Sequence, residues 1–215
     1  MKYIVGSKTV TLVNSQDEVQ GEMDIFKAHK SPFYLHRASS VWLFKDKKVL
    51  LQKRSKYKPI GAQCWGNGIC ANVRPDESYE GCAHRRLLGE LKIKDSKLKI
   101  NLKKAYKFEY KAYGNERFSE HELDQVFIAE YDGQITPNPD EVSEVIWVDW
   151  QELKSKITNQ REKILNAEES LKYSHKELKN LAPPIKIKIN DRDIVLAPWT
   201  VIMIIDPRLQ TALEI

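Results

Sequence analysis

The 215-residue chain lacks any long hydrophobic run, and no apolar stretch approaches the ~20 residues that a bilayer-spanning helix needs. A membrane partner is therefore not expected. The start, MKYIVGSKTVTLVNSQDEV, is too polar and alternating for the apolar middle of a signal peptide, which makes the cytoplasm the default location. Cysteine is scarce: three in this length make no disulfide framework, and the odd count favours reduced thiols. Charge is not strongly of one sign either. Thirty-five basic residues stand against 30 acidic ones, and the lysines are scattered rather than gathered into a stripe with aromatics. Nothing there points to nucleic acid, whereas a small phosphate-bearing molecule suits a net charge of +5. Repeats and low-complexity linkers are missing as well. What remains is a soluble, globular composition long enough for one well-cored domain.

Strand and helix patterns alternate along it. Val5 to Val13 alternates loosely as a first strand, with the segment to Gly21 as its turn. VWLFKDKKVLLQKRS predicts a hairpin, with strands from Val41 and Val49 around Lys45 to Lys48. A loop rich in Gly, Pro and Asn runs from Lys56 to Pro75. A helix should follow, capped by Asp76 or Ser78, because Tyr79, Ala83, Leu87 and Leu91 form one apolar column. Two further strands meet at Gly114-Asn115, VIWVDW gives another, and a helical stretch runs from Gln151 to about Lys179. Residues 182–215 are atypical: IKIKINDRDIVL alternates around an Asn-Asp turn, and APWTVIMIIDP is an apolar closing segment. The expected class is α/β (α+β), a mixed sheet sandwiched by helices in a single domain.

Several groups of residues could carry chemistry. Cys82, Arg86 and Glu90 form a second helical column, in which Arg86 and Glu90 suit a surface ion pair or a working site equally well. On a strand, Glu120, Glu122 and Asp124 share one face and His121 takes the other, which suits either a solvated edge or a hard cation. His29 and His36 flank Pro32; imidazoles added to those carboxylates would favour manganese, zinc or iron over magnesium. Cys70 sits among Asn67, Gly68, Ala71 and Asn72, read here as a loop just before a helix. A buried inert thiol and a stabilised thiolate are both open there; Cys64 and Cys82 are taken as structural.

The blocks AHKSPFYLHRASSVWLF, LLQKRS, CWGNGIC, RPDESYEGCAHRRLLGELKI, SEHELDQVFIAEYDG and NPDEVSEVIWV, in this order, resemble type I isopentenyl-diphosphate isomerase of the Nudix superfamily. The similarity runs from about Val10 to Leu153 and returns at the Pro-Trp pair of Trp199. The resemblance implies a Nudix-like fold and the isomerisation of isopentenyl to dimethylallyl diphosphate through a tertiary carbocation, in isoprenoid biosynthesis. Cys70 and Glu122 match the family's catalytic cysteine and glutamate. Tyr110 matches the tyrosine that assists proton transfer, and Trp199 the aromatic that shields the cation. His29, His36, Glu120 and Glu122 match four of five ligands of a divalent metal, Mn2+ or Mg2+ or else Zn2+. Glu90 matches the ligand of a Mg2+ ion on the diphosphate. Arg54, Lys58 and Arg86 match the residues that hold the phosphates. The expected partner is a small prenyl diphosphate, and the expected assembly a monomer or weak homodimer.

Three departures stand out. Asn72 occupies the place of the third metal histidine, Ile25 that of a diphosphate lysine (with Lys27 close by), and the tail around residues 185–196 is unlike the family's. The rival reading is a Nudix hydrolase, whose helix needs three glutamates; in RRLLGE only Glu90 remains, with Arg86 and Gly89 in the other places. A catalytically impaired prenyl-diphosphate binder is the other alternative. The isomerase reading requires thiol and carboxyl on opposite sides of a dry slot wide enough for a five-carbon alkene.

Overall fold

A computed structural model describes residues 9–93, 100–158 and 184–214. The chain opens with an antiparallel pair, β1 (Thr9–Val13) and β2 (Val19–Asp24), so Gly21 lies inside a strand rather than in the turn. The part of the expected first strand before Thr9 lies outside the described residues, as does the expected helix beyond Thr158. Asp24 caps the short α1 (Ile25–Ala28) by accepting from the amides of Phe26 and Lys27. The next hairpin, β3 (His36–Lys45) and β4 (Lys48–Arg54), starts five residues earlier than the apolar run suggested. Asp46 and Lys47 have φ of 46° and 62°, the two left-handed residues that match a two-residue turn to strand twist.

Two short strands then interrupt the stretch expected to be a loop: β5 (Trp65–Gly66) and β6 (Ile69–Asn72). The glycines and asparagines that suggested a loop allow close backbone approach here. A Cβ on Gly68 would come within 2.9 Å of the Val41 carbonyl oxygen. The helix α2 (Tyr79–Leu91) is capped by Ser78, whose hydroxyl accepts from the Gly81 amide at 3.0 Å. The long pair β7 (Lys103–Tyr113) and β8 (Ser119–Glu130) follows, then β9 (Val142–Asp149) and α3 (Trp150–Thr158). The closing segment forms the hairpin β10 (Ile185–Ile189) and β11 (Arg192–Leu196), then α4 (Pro198–Ile205) and α5 (Pro207–Ala212). Its turn is Asn190-Asp191, both left-handed.

The described strands join in one mixed sheet. At its centre β3 runs parallel to β8 and antiparallel to β6, while β8 is also paired with β7. The period-two alternation of β3 divides the core. Val41 and Leu43 pack with Ala83, Leu87 and Leu91 of α2 on one face. Trp42 packs with Trp150, Leu153, Trp199 and Met203 on the other. Each such side chain contributes ~1.5–3 kcal/mol by leaving water, so helices are held on both faces of the sheet. Among the described residues, no helix is long and apolar enough to cross a membrane.

Candidate active site

β8 lies between β3 and β7, so it is not an edge strand, and its acidic face is covered rather than solvated. Glu120, Glu122 and Asp124 are all buried, and His121 turns to the other face to meet Glu109 and the Phe33 carbonyl. Pairing sets His36 opposite Glu122, and Ser40 opposite both Val126 and Cys70. These registers bring chain segments more than 80 residues apart to one point.

Four side chains converge there: His29, His36, Glu120 and Glu122 place one ligand atom each within 4.8 Å of one another, all buried. His29 Nε2 is 2.8 Å from Glu120 Oε2, and His36 Nε2 is 3.6 Å from Glu122 Oε1. Asn72 also joins, its Oδ1 standing 3.0 Å from His36 Nε2. Each imidazole directs its Nδ1 at a main-chain carbonyl, Ile25 at 2.6 Å and Tyr34 at 2.8 Å. A carbonyl only accepts, so Nδ1 carries the proton and Nε2 is left for the centre. Two imidazole nitrogens, two carboxylates and an amide oxygen thus face one another, nearly all acceptors. Such a set needs a cation, either a proton or a divalent ion. Burial opposes a charge on His29, but Glu120 and Glu122 overcome it and lift its pKa to about 9. The residues fit a divalent metal, with Asn72 as a fifth donor.

Beside this cluster lies the thiol. Cys70 Sγ donates to Glu122 Oε2 at 3.9 Å, and the Tyr110 hydroxyl donates to the same oxygen in a short hydrogen bond. Cys70 is on β6, eight residues before the Ser78 cap, and not in a loop just before the helix. Burial first, then the carboxylates of Glu122 and Asp124, push the thiol well above its ordinary pKa. Both effects favour the thiol over the stabilised thiolate the sequence allowed. The expected open slot is absent as well. An alkene between sulfur and oxygen needs about 3.5 Å to each, roughly 7 Å in all, so the two groups must part by about 3 Å to admit one.

Asp124 has no counterpart among the sequence-assigned roles. Burial, reinforced by Glu122, raises its pKa to about 8, and Ser40 Oγ donates to it at 2.6 Å. Alternation placed it on the acidic face; burial of that face is what raises its pKa.

Cys70, His29, Asn72 and Glu120 line a cavity of about 260 Å³, at the small end for small-molecule sites. Its other wall is charged by Arg54, Lys58, Arg86 and Glu141, with Arg74 and Arg85 nearby. Ile25 lines it too, in the place expected of a lysine. Glu90 is fully buried, bonded to Gln52 at 2.9 Å and paired with Arg86. The Arg86–Glu90 pair is thus not a surface bridge: Arg86 lines the cavity, and Glu90 is buried behind it. Glu141, Arg74 and Arg85 were not singled out from sequence; Glu141 stands in the quoted block NPDEVSEVIWV, but its partners are 55 and 83 residues away.

Trp199 is 2% exposed and belongs to the core cluster that Tyr110 and Cys70 also join. The Arg54 guanidinium lies 5.1 Å from its ring, while Arg54 Nη2 donates to the Ile60 carbonyl at 3.0 Å. Gly61 permits this stack: φ is +59°, and a Cβ there would come within 2.6 Å of the Trp199 ring. Gly61→Ala is therefore expected to destabilise the fold by about 1–3 kcal/mol in urea melts, through backbone strain and displacement of the indole. An unchanged midpoint would show that the ring has room to move.

Fold and site together define a NUDIX-domain protein, and the NUDIX domain model matches residues 34–167. An isopentenyl-diphosphate Delta-isomerase of Aromatoleum aromaticum is 35% identical over 145 residues, 67% of this chain and 74% of that protein. One from Photorhabdus laumondii is 36% identical over 151 residues, 70% of this chain and 82% of that protein. The chain belongs to the isopentenyl-diphosphate Delta-isomerase family. A crystal structure of a Deinococcus radiodurans protein, DR0079, aligns with a TM-score of 0.56 at 18% identity, covering 70% of this chain and 89% of that one. It supports the fold alone.

Proposed function

We propose that the chain interconverts isopentenyl and dimethylallyl diphosphate, using Glu122 as the acid and Cys70 as the base. The observation that carries this is the buried thiol–carboxylate pair, with Tyr110 on the same carboxylate, beside a cationic cavity.

A proton passing from Cys70 to Glu122 leaves a carboxylic acid and a thiolate. The acid protonates the terminal alkene carbon and leaves a tertiary carbocation. The thiolate then removes a proton from the carbon next to the cation, on the side of the diphosphate-bearing chain. The product alkene forms as the thiol and carboxylate are restored, so protons balance over the cycle. Burial makes the thiolate a strong base, and it also excludes the water that would trap the cation. Tyr110 holds the carboxyl in place and can steady its charge after the proton leaves. Trp199 backs the same apolar core, and its ring face can stabilise nearby positive charge. Lys58, Arg86 and Arg54 provide cations for the diphosphate.

His29, His36, Glu120, Glu122 and Asn72 would hold a divalent metal, for which Mn2+, Mg2+ and Zn2+ are the candidates. A metal there would add positive charge beside Glu122 and strengthen it as an acid. Imidazole binds borderline metals better than an amide oxygen, so Asn72→His is expected to tighten Mn2+ binding about tenfold or more by calorimetry. Equal affinities would remove Asn72 from the shell. The function itself is tested by incubating the protein with isopentenyl diphosphate and Mg2+ or Mn2+. Dimethylallyl diphosphate is the expected product. Release of phosphate or pyrophosphate instead would establish a hydrolase, and binding without turnover an impaired relative.

A further inference from the structure

Two of the cavity's cations, Lys58 and Arg86, are already paired with carboxylates. Lys58 Nζ is held by Glu141 Oε2 and lies 3.4 Å from Glu90 Oε1. Arg86 Nη2 is paired with Glu90 Oε1 and lies 3.0 Å from Glu141 Oε2. The four form a closed ring of alternating sign, Lys58–Glu141–Arg86–Glu90, with no net charge. Burial alone would raise the pKa of Glu141; Lys58 and Arg86 outweigh it and hold the carboxylate ionised.

Glu141 does not reach the ring from a loose loop. The Asn138 amide donates to the Glu90 carbonyl at 2.7 Å, and the Asn138 side chain to the Gly89 carbonyl at 3.1 Å. Ser55 donates its amide to the Glu141 carbonyl and its hydroxyl to the Asp140 carbonyl. The turn before β9 is thereby stapled to both α2 and the end of β4. Gln52 is 2% exposed and gives its Nε2 to Glu90, while its Oε1 is buried with no hydrogen-bond partner.

Such a ring resists either ion alone. A bare diphosphate must take Lys58 and Arg86 away from Glu141 and Glu90, leaving two carboxylates beside an incoming anion. Like charges brought together at a partly buried site repel more strongly than in water, because the effective dielectric is lower there. A bare dication meets the opposite difficulty with the released lysine and arginine. When both arrive, the cation takes the carboxylates and the phosphate oxygens take Lys58 and Arg86, so every charge is paired again. We propose that Glu141 makes diphosphate and divalent-cation binding mutually dependent, acting as a positioning residue that closes the ring. The proposal rests on the diphosphate reading of the cavity above.

The test is calorimetric titration with inorganic pyrophosphate, with Mg2+ and with chelator, for the wild type, Glu141→Gln and Glu141→Asp. Magnesium and pyrophosphate also associate in solution, but equally for all three proteins, so differences between them report on Glu141. In the wild type, Mg2+ is expected to strengthen pyrophosphate binding about tenfold or more beyond the Glu141→Gln value. Glu141→Gln should bind pyrophosphate more tightly than wild type in chelator, which damage to the fold would not produce. Glu141→Asp, with the charge kept on a shorter arm, should lie between. Equal Mg2+ enhancement in all three proteins, with pyrophosphate bound, overturns the role of Glu141 and leaves the diphosphate site standing. A wild type that binds no pyrophosphate under either condition overturns both.

Discussion

Cys70→Ala and Glu122→Gln are each expected to lower kcat for isopentenyl diphosphate isomerisation by about a thousandfold or more, with KM little changed. The physical reason is that, in the proposed mechanism, acid and base act in one cycle on opposite sides of one cation. Removing either member stops turnover even though the other is intact. The double variant should then be scarcely slower than either single one, since residues that act as a unit do not add. Both substitutions suit the site. Alanine removes only a thiol, and glutamine keeps the shape of Glu122 and an oxygen for the Tyr110 hydroxyl. On the proposed reading Lys58 and Arg86 hold the diphosphate, so an unchanged KM would separate lost chemistry from lost binding. The measurement is conversion to dimethylallyl diphosphate at saturating substrate, with thermal melts alongside. Wild-type rates in either variant would remove the role assigned to it. A bound substrate analogue should also widen the sulfur–carboxylate separation from 3.9 Å to roughly 7 Å.

Much of this arrangement is legible in the sequence where period and punctuation are strong. The alternation of β3 sorts Val41 and Leu43 from Trp42, and Ser78 with its apolar column fixes α2. The Asn190-Asp191 turn is readable even in an atypical tail. His36 and Glu122, from different matched blocks, come together because the β3–β8 register sets them opposite one another, and α1 ends on His29 beside Glu120. What escapes is whatever depends on neighbours distant in the chain. Gly and Asn between Lys56 and Pro75 conceal β5 and β6, because glycine marks loops and close strand contacts alike. Asp124 sits on the acidic face by simple alternation, yet its raised pKa comes from burial of that face, which alternation does not show. The thiol of Cys70 seemed open to ionisation in a loop; burial and neighbouring carboxylates oppose that. Glu141 looks like a turn residue until its two basic partners are placed.

Loss of the Glu90 carboxylate should have the largest effect on stability. Glu90 is fully buried, and burial alone would raise its pKa from 4.5; Arg86 and Lys58, helped by Gln52, instead hold it at about 2. Glu90→Ala leaves Arg86 and Lys58 with Glu141 as their remaining carboxylate in the ring, and should destabilise the fold by about 3–5 kcal/mol near neutral pH. Glu90→Gln keeps the volume and isolates the charge. Because the folded pKa lies below the unfolded one, the charge stabilises the fold fully above about pH 4.5 and loses that contribution as the pH falls through about 2. A shift of that size corresponds to about 3 kcal/mol. Other carboxylates titrate in the same window, so the informative quantity is the difference between wild type and Glu90→Gln in urea melts. That difference should be about 3 kcal/mol at neutral pH and shrink towards zero as the pH approaches about 2. A difference that stays constant across the range would mean that Glu90 supports the fold through packing and not through its charge.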